Sequence, residues 1–194
     1  MFSDGQREEE VPDNENEDVI ALLHRQHDEI RSLFTELETA EGEQRRDLFR
    51  DLVRLLAVHE TAEEEVIHPE VRDLPDGEHV VEARIGEEHR AKRLLVTMTE
   101  MGPEAEGFDT LLVQLREDVL AHAEHEEREE FPLLRAAHGP ERLRAMAATV
   151  RVAEAIAPTR PHPGVESATA NLLLGPPVAI MDRARDAIRD ALGR

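Results

Sequence analysis

The segment His59-Glu60-Thr61-Ala62-Glu63-Glu64-Glu65-Val66-Ile67-His68-Pro69 recurs 63 residues later as His122-Ala123-Glu124-His125-Glu126-Glu127-Arg128-Glu129-Glu130-Phe131-Pro132. Both copies read H-x-x-x-E, with a proline six residues after the glutamate. Residues four apart on an α-helix share a face, with Cβ atoms about 5–6 Å from each other. A histidine and a glutamate at that spacing can therefore reach one metal ion, or two adjacent ones, from a single helix. One such helix is half a site, and two copies suggest two halves of the same site. The duplication carries the weight, because with 44 acidic residues in 194 a single H-x-x-x-E arises easily by chance.

Outward from these segments, apolar residues recur at spacings of three and four. The spacing predicts a first helix over about 17–38, with Ile20, Leu23, His27, Ile30, Phe34 and Leu37 on one stripe. A second helix, about 43–68, carries Leu48, Leu52, Leu55, Leu56, His59, Glu63 and Val66 inward and ends at Pro69. A third, about 78–101, places Val81, Ile85, His89, Leu95 and Val96 on its stripe. The fourth, about 108–137, presents Leu111, Leu112, Leu115, Val119, His122 and Glu126. Four long amphipathic helices with short breaks pack most simply as an all-α, up-down-up-down bundle. Aligning His27 with His89 and His59 with His122 gives an internal repeat of 62–63 residues. In an antiparallel bundle the four histidines then fall near one level, where six ligands can converge.

Bulk properties narrow the function classes. A formal net charge of −21 argues against nucleic acid and anionic membranes as partners, and suits a chain that attracts cations. The absence of cysteine excludes thiolate zinc sites and iron–sulfur ligation, leaving His, Asp and Glu as the strong ligands. Without Trp or Tyr, the core must be built from Leu, Val, Ile, Ala and Met, which favours helices over sheet. The acidic start has no apolar signal region and no stretch is long enough to span a bilayer, so the expectation is a cytoplasmic protein. Residues 1–16 read as a mobile acidic tail.

The order H … H-x-x-x-E … H … H-x-x-x-E resembles the hemerythrin family, specifically its HHE cation-binding domains, over about residues 17–135, which implies a bundle domain over residues 17–138. Gln26-His27, Glu87-Glu88-His89 and Glu129-Glu130-Phe131-Pro132 match in local context. The resemblance implies a non-haem centre of two iron ions, bridged by oxide or hydroxide. His27, His59, His89 and His122 would be its ligands, with Glu63 and Glu126 bridging and zinc the less favoured metal. The chain departs from the oxygen carriers at Arg93, where they have a further histidine, and at Glu127, where they have aspartate. Fewer histidines and more oxygen donors favour ferric iron over reversible O₂ carriage. His24 and His125 are placed to support the site rather than ligate, and His68, His79, His138 and His162 fall outside it. Glu60, Glu64 and Glu65 read as surface residues.

Residues 139–194 form a C-terminal helical extension, which resembles that of many actinobacterial hemerythrin-like proteins. It reads as a helix over 140–156, a rigid connection at Pro158–Gly164, a short helix over Ser167–Leu174 and a last amphipathic helix over Pro177–Leu192. Its apolar faces need a partner, and packing on the bundle of the same chain is favoured over a dimer. The family resemblance implies chemistry on a small oxidant: hydrogen peroxide disproportionation in a catalase-like enzyme, or handling of O₂ or nitric oxide, in oxidative stress. The alternative is a non-enzymatic iron or oxygen sensor or buffer.

Overall fold

The computed structural model describes residues 16–156 and 177–193. The expected tail over 1–15, the Pro158–Gly164 connection and the Ser167–Leu174 helix lie outside these residues. Among them there is no strand, and no helix is long and apolar enough to cross a membrane.

Helix α1 (Val19–Leu37) starts where Asp18 caps it, the carboxylate accepting the Ala21 N–H at 2.9 Å. Its buried positions run Val19, Leu22, Leu23, Gln26, His27, Ile30, Leu33, Phe34 and Leu37, a stripe wide enough to meet two neighbours. Helix α2 (Gly42–Ala62) is buried on nearly all sides from Leu52 onward. It leads into a π-helical turn (Glu63–Ile67) and then α3 (His68–Arg72). Helix α4 (Gly77–Met101) follows a tight connection, and α5 (Phe108–His125) runs into a second π-helical turn (Glu126–Glu130) and α6 (Phe131–Ala137). Helices α1, α2, α4 and α5 form the four-helix bundle that the periodicity predicts.

Pro69 does not end the second helix as expected. A proline ring inside an α-helix clashes with the carbonyl four residues back and withholds its own N–H. Here the preceding turn is widened, so that the His68 N–H bonds the Glu63 carbonyl and the chain continues helically through Pro69. The same device recurs before Pro132, where the Phe131 N–H bonds the Glu126 carbonyl. Both H-x-x-x-E glutamates therefore sit at the start of a π-helical turn.

The extension covers the bundle. Helix α7 (Pro140–Ile156) lies along α1 and buries Leu143, Met146, Ala147, Val150 and Ala153. The last helix, α8 (Pro177–Leu192), packs on α2 and α7 through Ile180, Met181, Ala184 and Ile188. Each fully buried Leu, Ile, Val or Met side chain contributes about 1.5–3 kcal/mol of transfer free energy. This second layer explains why α2 has no solvent face beyond Leu52. Arg185 reaches Glu64 at 3.0 Å and Glu65 at 3.1 Å, and Arg189 reaches Glu65 at 2.9 Å. These two acids, expected on the surface, are thus half covered by α8.

Candidate metal centre

Five of the six residues singled out by the repeat meet in the middle of the bundle. His27 comes from α1, His59 from the end of α2, His122 from α5, and Glu63 and Glu126 open the two π-helical turns. All five side chains are buried. Glu63 presents Oε1 to Nε2 of His59 at 3.3 Å and Oε2 to Nε2 of His122 at 3.9 Å. Glu126 presents Oε2 to Nε2 of His27 at 3.2 Å and Oε1 to Nε2 of His122 at 2.9 Å. Each carboxylate thus spans from one half of the cluster to the other.

The outer nitrogens of the three histidines are all engaged. Gln26 donates through Nε2 to Oε1 of Glu154 at 2.8 Å, which orients its amide and leaves its Oε1 to accept from Nδ1 of His59 at 2.8 Å. Nδ1 of His27 donates to Oε1 of Glu127 at 2.8 Å, and Nδ1 of His122 to Oε2 of Glu87 at 3.1 Å. With the ring proton on Nδ1, a neutral imidazole turns an unprotonated Nε2 inward, the arrangement common to metal-binding histidines.

The residues fit a metal. Nε2 of His27 and Nε2 of His59 lie 3.2 Å apart, two lone pairs facing each other unless a cation lies between them. That separation suits two donors that share one ion at ~2.1 Å from each. Both oxygens of Glu63, both of Glu126 and Nε2 of His122 are buried without a hydrogen bond, although histidine nitrogens lie within ion-pair reach. Such groups are costly to leave uncompensated. His27, His59, Glu63 and Glu126 each offer one donor atom within 4.8 Å of the others, and Glu63, Glu88 and His122 do the same beside them.

The titration behaviour follows from this crowding. Burial, with neighbouring His27, depresses His59 to about 3, so it is neutral. Burial and the adjacent Glu126 push Glu63 well above the usual carboxyl range. Burial would raise Glu126 too, but His122 and His27 outweigh it and hold it well below that range. Burial alone would lower His122, and the carboxylates of Glu126, Glu63 and Glu87 raise it instead. In the metal-free protein, protons carry the positive charge that the cluster requires.

His89, the sixth expected ligand, is not brought in. It is exposed on α4, whose buried positions are Gly77, Val80, Val81, Arg84, Glu88, Ala91, Leu95 and Met98. The inward stripe keeps Val81 and Leu95 but between them runs through Arg84 and Glu88, one residue before Ile85 and His89, charges that pattern reading assigns to solvent. Glu60, expected on the surface, is buried beside Lys92 at 3.7 Å, and burial raises its carboxyl to about 8. His68, expected outside the site, is buried between Oε1 of Glu88 at 2.7 Å and Oε1 of Glu130 at 2.9 Å. His24 and His125 stand outside the cluster, 3.5 Å from Glu127 and 2.9 Å from Glu87, with His24 edge-on to Phe131. The supporting Gln26 and Glu127 adjoin expected ligands in sequence and Glu87 lies two residues before one, a signal that proximity alone could not rank.

A small cavity opens against the cluster. It is lined by His27, His59, His122, Glu60 and Glu88 together with the apolar Ile30, Leu56, Ala91, Val119, Leu120 and Ala123. The space available to a water-sized occupant is about 10 Å³, room for roughly one such molecule.

Comparison with known proteins accords with this geometry. A DNA nickase from Nostoc sp. (strain PCC 7120) is 30% identical over 124 residues, which are 63% of this chain and 35% of the nickase, so the chain spans about a third of that relative's length. The crystal structure of a hemerythrin HHE cation-binding domain-containing protein from Mycobacterium kansasii superposes with a TM-score of 0.62 at 17% identity, covering 91% of this chain and 97% of that one. The family profile of the hemerythrin HHE cation-binding domain matches residues 18–134. With more than half of its length so matched, and with the bundle and histidine–carboxylate cluster in place, the chain belongs to the hemerythrin HHE cation-binding family.

Proposed function

We propose that His27, His59, His122, Glu63 and Glu126 hold a two-metal centre, and that the centre acts on a small oxidant. Hydrogen peroxide is the favoured substrate, with O₂ or nitric oxide as the related ligands. The observation that carries this reading is the apolar-walled cavity of single-molecule size set directly against unpartnered Nε2 and carboxylate atoms. Nitrogen donors mixed with hard carboxylates, and no sulfur, suit iron in either of its common oxidation states. Two irons so held would relay two electrons from one peroxide, oxidised to O₂ with release of two protons, to a second, reduced with those protons to two waters.

The chain's own residues prepare that chemistry. Glu127, Gln26 and Glu87 fix the three imidazoles, and the aliphatic walls exclude bulk water. Glu60 stands at the cavity wall as a buried carboxyl group through which protons can pass. A net charge of −21 repels a phosphate backbone, so the DNA-directed activity named for the cyanobacterial relative is not carried over.

The test is O₂ evolution from hydrogen peroxide by iron-loaded protein of verified metal content, run beside His59→Ala. Sustained turnover that vanishes in the variant supports the enzyme. Peroxide that survives two bound irons sinks it for that substrate. The second reading, a non-enzymatic iron or oxygen sensor or buffer, is favoured by one contact: Glu154 of the extension is linked through Gln26 to His59, so metal occupancy bears on α7. It predicts an iron-dependent change in protease resistance without turnover.

A further inference from the structure

Within the two-metal reading, on which this inference rests, the second half of the centre lacks a counterpart to His27. We propose that Glu88, not His89, is the ligand from α4, binding the second ion through Oε2 together with Nε2 of His122 and a carboxylate oxygen of Glu63.

The internal repeat identifies the counterpart through contacts. Gln26, one residue before His27, holds Nδ1 of His59; Glu87, one residue before Glu88, holds Nδ1 of His122. Arg31, four residues after His27, pairs with Glu127, the residue after Glu126. Lys92, four residues after Glu88, pairs with Glu64, the residue after Glu63. Phe131, just before Pro132, stacks on His27, the rings 5.8 Å apart and 12° from parallel; His68, just before Pro69, bonds Glu88. Three independent relations give the same equivalence, His27 with Glu88, an offset of 61 rather than the 62 that aligns the two histidines.

The third relation also shows compensation. Where the ligand position holds an imidazole, its neighbour is the apolar Phe131. Where it holds a carboxylate, the neighbour is His68, which donates to Oε1 of Glu88 while Glu130 takes its other nitrogen. That hydrogen bond fixes the Glu88 side chain and leaves Oε2 buried with no hydrogen bond, 3.9 Å from the nearest ammonium, Nζ of Lys92. Glu88 also offers a donor atom within 4.8 Å of donors on Glu63 and His122, so a buried oxygen with no hydrogen bond stands beside the cluster, the kind of group a cation satisfies.

The two halves become inequivalent. One offers two imidazoles with Glu63 and Glu126; the other offers one imidazole with Glu63, Glu126 and Glu88. Fewer nitrogen donors make the second position the harder of the two, suited to ferric iron or manganese.

The test is metal stoichiometry of the full chain, loaded anaerobically with ferrous iron, desalted and analysed by elemental mass spectrometry, with helical content followed by circular dichroism. The wild type and His89→Ala are expected to retain two ions per chain, and Glu88→Ala about one. Glu88→Gln keeps the shape and a partner for His68 should the alanine variant misfold, and is expected to weaken the second ion tenfold or more. Two ions in both Glu88 variants, or loss of an ion in His89→Ala, would overturn the assignment. Fewer than two ions in the wild type would overturn the two-metal reading itself, and this assignment with it.

Discussion

Glu154, on a helix beyond the four of the bundle, accepts a 2.8 Å hydrogen bond from Gln26, whose other amide atom orients His59. The extension therefore reaches the metal centre through a single side chain. Removing partners of this outer kind typically weakens metal affinity about 10–100-fold. Glu154→Ala should lower affinity for the ion between His27 and His59 by about tenfold, at the small end of that range because it acts through Gln26. Competitive chelator titration checks this, and an unchanged affinity beside a lowered melting temperature would assign Glu154 to packing alone.

His68 predicts a pH dependence. Burial alone would depress it, but the carboxylates of Glu130 and Glu88 raise it to about 10. A group held above its unfolded value of about 6.5 stabilises the fold fully below that pH, and its contribution is lost as pH rises through about 10. Denaturant titrations of metal-free protein should show stability falling from pH 6.5 to 10. His68→Gln should lose that component of the slope; a slope equal to the wild type's would show that His68 does not carry it.

Metal should stabilise the protein and displace protons. Glu63 held neutral and His122 held cationic both mean that the metal-free cluster binds protons that ligation must release. Affinity should then fall as pH falls, and calorimetry in buffers of different ionisation enthalpy should report proton release on binding. At free metal 100 times Kd, one site adds about 2.7 kcal/mol to folding stability. Equal unfolding midpoints with and without iron would contradict this.

Gly77 opens α4 with no room for a side chain, since a Cβ there would lie 1.8 Å from the Val71 carbonyl oxygen. Gly77→Ala should shift the start of α4 and cost about 1–3 kcal/mol or more, read as a lowered denaturation midpoint. Gly86→Ala is the control, because a Cβ there meets nothing within 4 Å.

Much of this was legible in the chain. The four long helices and the meeting of His27, His59, Glu63, His122 and Glu126 follow from apolar spacing and the repeated H-x-x-x-E. The failures share a cause. Pattern reading treats an ionisable side chain as a mark of solvent, yet Glu60, Arg84, Glu88 and His68 are buried: His68 pairs with Glu88, Arg84 with Glu87, and Glu60 lies beside Lys92. Placing His89 inward required Ile85 and Val96 on the stripe, yet Val96 is 36% exposed and Arg84 takes the inward place. Glu64 and Glu65 were misplaced because their cover, α8, comes from more than a hundred residues away. Nothing local could announce that.

The two π-helical turns make the centre depend on the count of residues as well as on their identity. Each turn holds one residue more than an α-helical turn would, and that surplus sets the angular phase of the segment beyond it. Deleting one residue from within the first turn, after Glu63, would rotate α3 by about 100° and set Pro69 against an ordinary α-helical turn, carrying His68 away from Glu88. The same deletion in Glu126–Glu130 would turn Phe131 off His27. Among related chains, a one-residue gap at either turn would therefore disarm the centre while every ligand remained in the sequence.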